Sequence, residues 1–159
     1  MPSIYLDNAS TTFPKPQAVP DAMYRFMTQV GSNINRGGYA RAYDTEETVY
    51  ETRQLLCGLF GGQDCRQVIF TKNVTESLNL LLKGFLRSGD HVLVSSMEHN
   101  AVMRPLVQLE ARGVAFTRVP CAGDGSLSVE RLAACLTDRT RAVVMTHASN
   151  CLLYTSPSP

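Results

Sequence analysis

The chain has 159 residues, 44% of them apolar and 18% charged, and a formal net charge of +1. That is an ordinary globular composition, long enough for one domain with a sizeable core. No block of like charge marks nucleic acid or an anionic membrane as a partner, and no apolar run approaches the roughly 20 residues that span a bilayer.

The N-terminus lacks the basic-then-apolar order of a secretory signal, so the cytoplasm is the expected compartment. Ile4-Tyr5-Leu6 predicts a short strand running into a polar loop, Asp7 to Thr12. Pro14 and Pro16 lead into a helix over about 17–29 that Gly31 ends. A second loop, Asn33 to Gly38, precedes a longer helix on which Ala42, Val49, Leu56 and Phe60 share a face. Gly61-Gly62 stops it.

From there the chain alternates. Val68-Ile69-Phe70 predicts a buried strand, and Leu78, Leu81, Leu82 and Phe85 fall at helical spacing. His91–Ser95 is the next strand. A helix follows with Val102, Leu106 and Leu109 on one face, ended by Gly113. Residues 114–119 form a strand, Ser128 caps a helix over 129–136, and 142–145 form a last strand. Strand, helix, strand with short connections predicts an α/β fold: a mostly parallel sheet with helices on both faces. That domain is expected to occupy residues 1–150. Residues 151–159, ending Thr-Ser-Pro-Ser-Pro, break the pattern and are expected to be a disordered or non-native tail.

The five cysteines, Cys57, Cys65, Cys121, Cys135 and Cys151, are odd in number, scattered, and without a C-x-x-C pair. This argues for reduced thiols rather than a disulfide framework or a zinc site, and no metal is expected.

Three carboxyl ends of predicted strands carry polar groups, where open α/β sheets bind ligands. The first is Asn73-Val74-Thr75 at a helix N-terminus, a place suited to a phosphate. Thr75 reads either as a phosphate ligand or as a plain N-cap. The second is His99, which reads as a ring-stacking group, an acid or base, or a cap. The third is Asn150, a ligand-binding amide or a loop residue.

Five segments together carry a resemblance. They are Ile4 to Thr12, Asn33 to Gly38 with Arg36-Gly37, Phe70 to Asn79 with Thr75-Glu76-Ser77, Met97-Glu98-His99-Asn100-Ala101, and Thr146-His147-Ala148-Ser149-Asn150. In this order they resemble the class V aminotransferase family of fold-type-I pyridoxal-phosphate enzymes, in its cysteine desulfurase branch. The resemblance implies that Asn73, Val74 and Thr75 cradle the phosphate of pyridoxal 5'-phosphate. It implies that His99 stacks on the pyridine ring as a catalytic residue, and that Asn150 lies near the cofactor and the substrate carboxylate. Asn8, Ala9 and Arg36 then line the substrate entrance, partly across a homodimer interface. The implied reaction takes L-cysteine to L-alanine and passes the sulfur to an enzyme cysteine, then to an acceptor protein or iron–sulfur cluster assembly.

Family members are considerably longer. Lys72 and Lys83 lack the context of the family's Schiff-base lysine, and Cys121 and Cys151 that of its catalytic cysteine. The resemblance therefore implies an N-terminal fragment, inactive by itself. Selenocysteine lysis or another class V reaction is the alternative chemistry. A non-catalytic α/β fragment that binds a phosphate-bearing ligand is the alternative of another kind.

Overall fold

The computed structural model describes residues 4–8, 10–34, 38–149 and 154–155. The chain divides into two compact units, Met1–Phe70 and Thr71–Pro159.

In the first unit, α1 (Ala18–Arg25) runs into a π-helical turn, Phe26–Val30. Gly31, at φ 52°, ends it by donating its N–H to the Phe26 carbonyl at 2.8 Å. Glycine takes that left-handed conformation without the Cβ strain other residues meet. Helix α2 (Ala40–Leu59) follows, with Ala42 and Cys57 buried. Val49 and Leu56 are half-buried, and Phe60 is exposed. Neither Ile4-Tyr5-Leu6 nor Val68-Ile69-Phe70 is a strand, which corrects the expectation for both. An apolar run sets a local preference, but a strand needs a neighbour for its N–H and C=O groups. Among the described residues nothing pairs with either segment, and Ile4, Leu6, Ile69 and Phe70 are exposed.

The second unit begins with α3 (Val74–Phe85), followed by β1 (His91–Ser95), α4 (Asn100–Glu110), β2 (Ala115–Val119), α5 (Val129–Ala134) and β3 (Thr140–Val144). β1 lies between β2 and β3, and both pairings are parallel. This is the expected α/β architecture. Parallel neighbours require crossovers, and α4 and α5 supply them. β2 and β3 lie on opposite sides of β1, so right-handed crossovers assign α4 and α5 to opposite faces.

Every residue of β1 is buried. Val92 and Val94 turn to one face and meet Leu82 and Leu86 near α3, Val102, Leu106 and Leu109 of α4, and Val114. Leu93, on the opposite face, is equally buried, so both faces of the central strand are covered. Each such side chain contributes about 1.5–3 kcal/mol through burial. The expected α3 stripe is only partly inside: Leu82 is buried, whereas Leu81 and Phe85 are exposed.

At the amino end of the sheet, His91 is 7% exposed. Its Nδ1 lies 2.9 Å from the Thr140 hydroxyl and its Nε2 2.9 Å from the Thr117 hydroxyl. One imidazole thus ties the central strand to both neighbours.

Within the predicted tail, β5 (Tyr154–Thr155) pairs antiparallel with β4 (Ala148–Ser149). Cys57, Cys65, Cys121 and Cys135 are free thiols, as expected; Cys151 lies outside the described residues. No helix among the described residues is long and apolar enough to cross a membrane.

Candidate functional site

The order β2-β1-β3 makes the carboxyl end of β1, beside β3, a topological switch point: the connection from β1 runs to one neighbour and that from β2 returns to the other, and open α/β sheets bind ligands at such points. The two polar helix starts nearest this feature are built by local capping.

At the start of α3, Asn73 takes an extended conformation and its Oδ1 accepts the Glu76 N–H at 2.9 Å. Glu76 reaches back, and its Oε2 accepts the Lys72 N–H at 2.7 Å. This reciprocal arrangement satisfies two N–H groups with two side chains. The cap is therefore Asn73, and the N-cap reading of Thr75 is corrected. Thr75 sits in the first turn. Its hydroxyl, its N–H and the N–H of Val74 have no partner among the described residues. Those free donors stand at the positive end of a 12-residue helix, a setting that attracts an anion. The side chain of Val74 is exposed and contributes only its backbone.

At the start of α4, His99 is itself the N-cap: its Nδ1 accepts the Ala101 N–H at 3.0 Å. In the neutral ring the proton then resides on Nε2. The ring is exposed. Glu98, just before it, is half-buried. Its Oε1 accepts the Ser95 hydroxyl at 2.6 Å and the Thr146 N–H at 2.7 Å, and its Oε2 accepts the Thr146 hydroxyl at 2.9 Å.

Thr75 and His99 line one cavity of about 250 Å³ between the starts of α3 and α4. Asn79 of α3 and Asn100, Arg104 and Gln108 of α4 share it. The volume lies just below the roughly 300–1,000 Å³ of ligand pockets. The donor set suits a phosphate joined to a flat ring: the N–H and hydroxyl of Thr75 on one wall, a cation in Arg104, and the His99 imidazole on the other.

Of the residues singled out in the sequence, the structure thus brings Thr75 and His99 to one cavity, with Asn73 and Val74 preceding Thr75 at the start of α3. Asn8 belongs to the first unit, where its Oδ1 accepts the Phe13 N–H at 3.0 Å. Ala9, Arg36 and Asn150 lie outside the described residues. Sequence reasoning missed Arg104 and Gln108. The signal was present, because Asn100, Arg104 and Gln108 repeat every four residues and so share a helix face. It also gave Glu98 no role of its own, since its partner Thr146 is 48 positions away.

The chain matches the family described as Aminotransferase class-V over residues 4–154. A cysteine desulfurase of Salmonella typhimurium is 31% identical over 164 aligned residues, covering 100% of this chain and 40% of that protein. Among solved structures, the apo cysteine desulfurase of Thermococcus onnurineus NA1 superposes with a TM-score of 0.82 at 24% identity, over 92% of this chain and 37% of that one. The Escherichia coli cysteine desulfurase CsdA gives a TM-score of 0.72 at 25% identity, over 89% and 37%. The chain spans about 40% of the length of the curated relatives it matches.

Proposed function

This chain belongs to the class V aminotransferase family, and we propose on that premise that it is the cofactor-holding portion of a cysteine desulfurase. The observation that carries the reading is the shared cavity of Thr75 and His99. The family's cofactor is pyridoxal 5'-phosphate. The residues present fit it.

The N–H groups of Val74 and Thr75 and the Thr75 hydroxyl donate to the phosphate, aided by the α3 dipole, while Asn73 holds the turn rigid. His99, on the opposite wall of the cavity, would hold the pyridine ring by stacking and shield one of its faces from water. Its Nδ1 is occupied by the α4 cap, so the ring orientation is set before any ligand arrives. Asn150 supplies an amide near the cofactor and the substrate carboxylate, and Asn8, Ala9 and Arg36 line the substrate entrance. When bound, the cofactor supplies an electron sink for the α-carbon of an amino acid.

The reaction in the whole protein converts L-cysteine to L-alanine. A cysteine thiolate of the enzyme attacks the substrate sulfur. The S–S bond forms as the substrate C–S bond breaks, its electron pair stays on the carbon that is protonated to the methyl group of alanine, and the outer sulfur of the persulfide passes to an acceptor protein for iron–sulfur cluster assembly. The whole protein acts as a cytoplasmic homodimer.

The test is equilibrium binding of pyridoxal phosphate to the 159-residue chain, followed by fluorescence and competed with inorganic phosphate. Saturable binding that phosphate displaces is expected. Thr75→Val should weaken it about tenfold, the scale of one lost hydrogen bond to a charged group. Absence of binding, or binding that Thr75→Val leaves unchanged, would sink the reading.

A further inference from the structure

The hydrogen-bond ladder between β1 and β3 ends at the pair Val94–Val144. Beyond it the two chains diverge, β1 towards α4 and β3 towards β4. The Glu98 carboxylate is the one side chain among the described residues that bridges this gap. It accepts three hydrogen bonds, one from Ser95 at the end of β1 and two from Thr146 just after β3. Ser95 is 7% exposed, so its hydroxyl has little recourse to water. No arginine or lysine among the described residues forms an ion pair with Glu98, so the carboxylate acts through directed hydrogen bonds rather than as half of a salt bridge. His99 follows at once and fixes its own ring on the first turn of α4.

We propose that Glu98 is a positioning residue: it locks the exit of β3 to the turn carrying His99, so that the imidazole and the Thr146 segment move as one body across the switch point. This rests on the reading of His99 as the ring-facing group. Removing the carboxylate leaves the start of α3, and hence the phosphate cradle at Thr75, untouched. Glu98 therefore governs recognition of the ring but not of the phosphate.

The variants Glu98→Ala, Glu98→Gln and Glu98→Asp separate these effects. In the ligand-free 159-residue chain, Glu98→Ala should speed exchange of the Thr146 amide hydrogen about tenfold, the scale of one lost buried hydrogen bond. It should also shift the His99 ring resonances. Glu98→Gln should restore both, because its carbonyl oxygen takes the place of Oε1 and the Thr146 hydroxyl turns to accept from the new amide. In binding, Glu98→Ala should raise the Kd of pyridoxal phosphate about tenfold by the same loss and leave that of inorganic phosphate within about twofold. Should Glu98→Ala fail to fold, Glu98→Asp, one methylene too short to span both strands, gives the same readouts.

Unchanged Thr146 exchange and unchanged His99 signals would overturn the proposal, as would equal weakening of both ligands. If the unaltered chain binds no pyridoxal phosphate, the functional reading fails, while exchange and ring resonances still decide the role of Glu98.

Discussion

His99 carries two tasks that substitution can pull apart. As a cap it offers Nδ1 to the Ala101 N–H; as a ring it forms a wall of the cavity beside Thr75. Asparagine caps well but has no ring. His99→Asn is therefore expected to keep the stability of the chain in urea unfolding, whereas His99→Ala loses about 1 kcal/mol. Both should abolish ring-dependent binding of pyridoxal phosphate. A second local prediction concerns pH. The Arg66 guanidinium, 2.9–3.1 Å from both Asp64 oxygens, holds that carboxyl below its ordinary 3.8, and the Arg66 backbone N–H adds to the effect. A depressed carboxyl stabilises the fold above its unfolded value and loses that contribution as the pH falls through the folded one. The Asp64 midpoint, followed by NMR, should lie below 3.8 and return part of the way in Arg66→Ala, because the backbone donor stays. At this scale the sequence was a good guide to which groups matter and a poor guide to what they do. Thr75 and Asn73 stood side by side as candidates, but only coordinates show that Asn73 takes the cap and frees Thr75. Glu98 stayed without a role because its partner is distant along the chain.

Elements followed the sequence where one continuous signal decided them. The run Val92-Leu93-Val94 makes a strand buried on both faces, and Val102, Leu106 and Leu109 make the buried stripe of α4. The failures share a cause. Ile4-Tyr5-Leu6 and Val68-Ile69-Phe70 have strand-like residues, but pairing is a property of two segments, and no partner faces them among the described residues. The Leu81 and Phe85 positions keep helical spacing yet point outward, since spacing gives a face and not what covers it. Leu106, fully buried where α3, α4 and β1 meet, tests the core directly. Leu106→Ala should cost about 2–5 kcal/mol in urea unfolding. Leu81→Ala, on an exposed site, should stay within about 0.5 kcal/mol.

The sheet as a whole has one covered strand and two edges. β3 has no second neighbour among the described residues, and Val143 and Met145 at its end are 46% and 43% exposed. Such an edge is a template for a further strand, its own or another chain's. Light scattering should therefore rise with protein concentration, and Val143→Lys should suppress that rise without loss of the fold, since charge on an edge discourages pairing. The strand order also has a consequence in time. The central strand is made before either of its neighbours, and the His91–Thr140 contact joins residues 49 positions apart. At a synthesis rate of roughly 5–20 residues per second, β1 waits about 2–10 s on the ribosome before its second flank exists. Through that interval one edge of the most apolar strand stays unpaired, although α3 and then α4 and β2 come to shelter the rest of it. Slower translation between codons 96 and 140 should raise the share of nascent chains lost to aggregation.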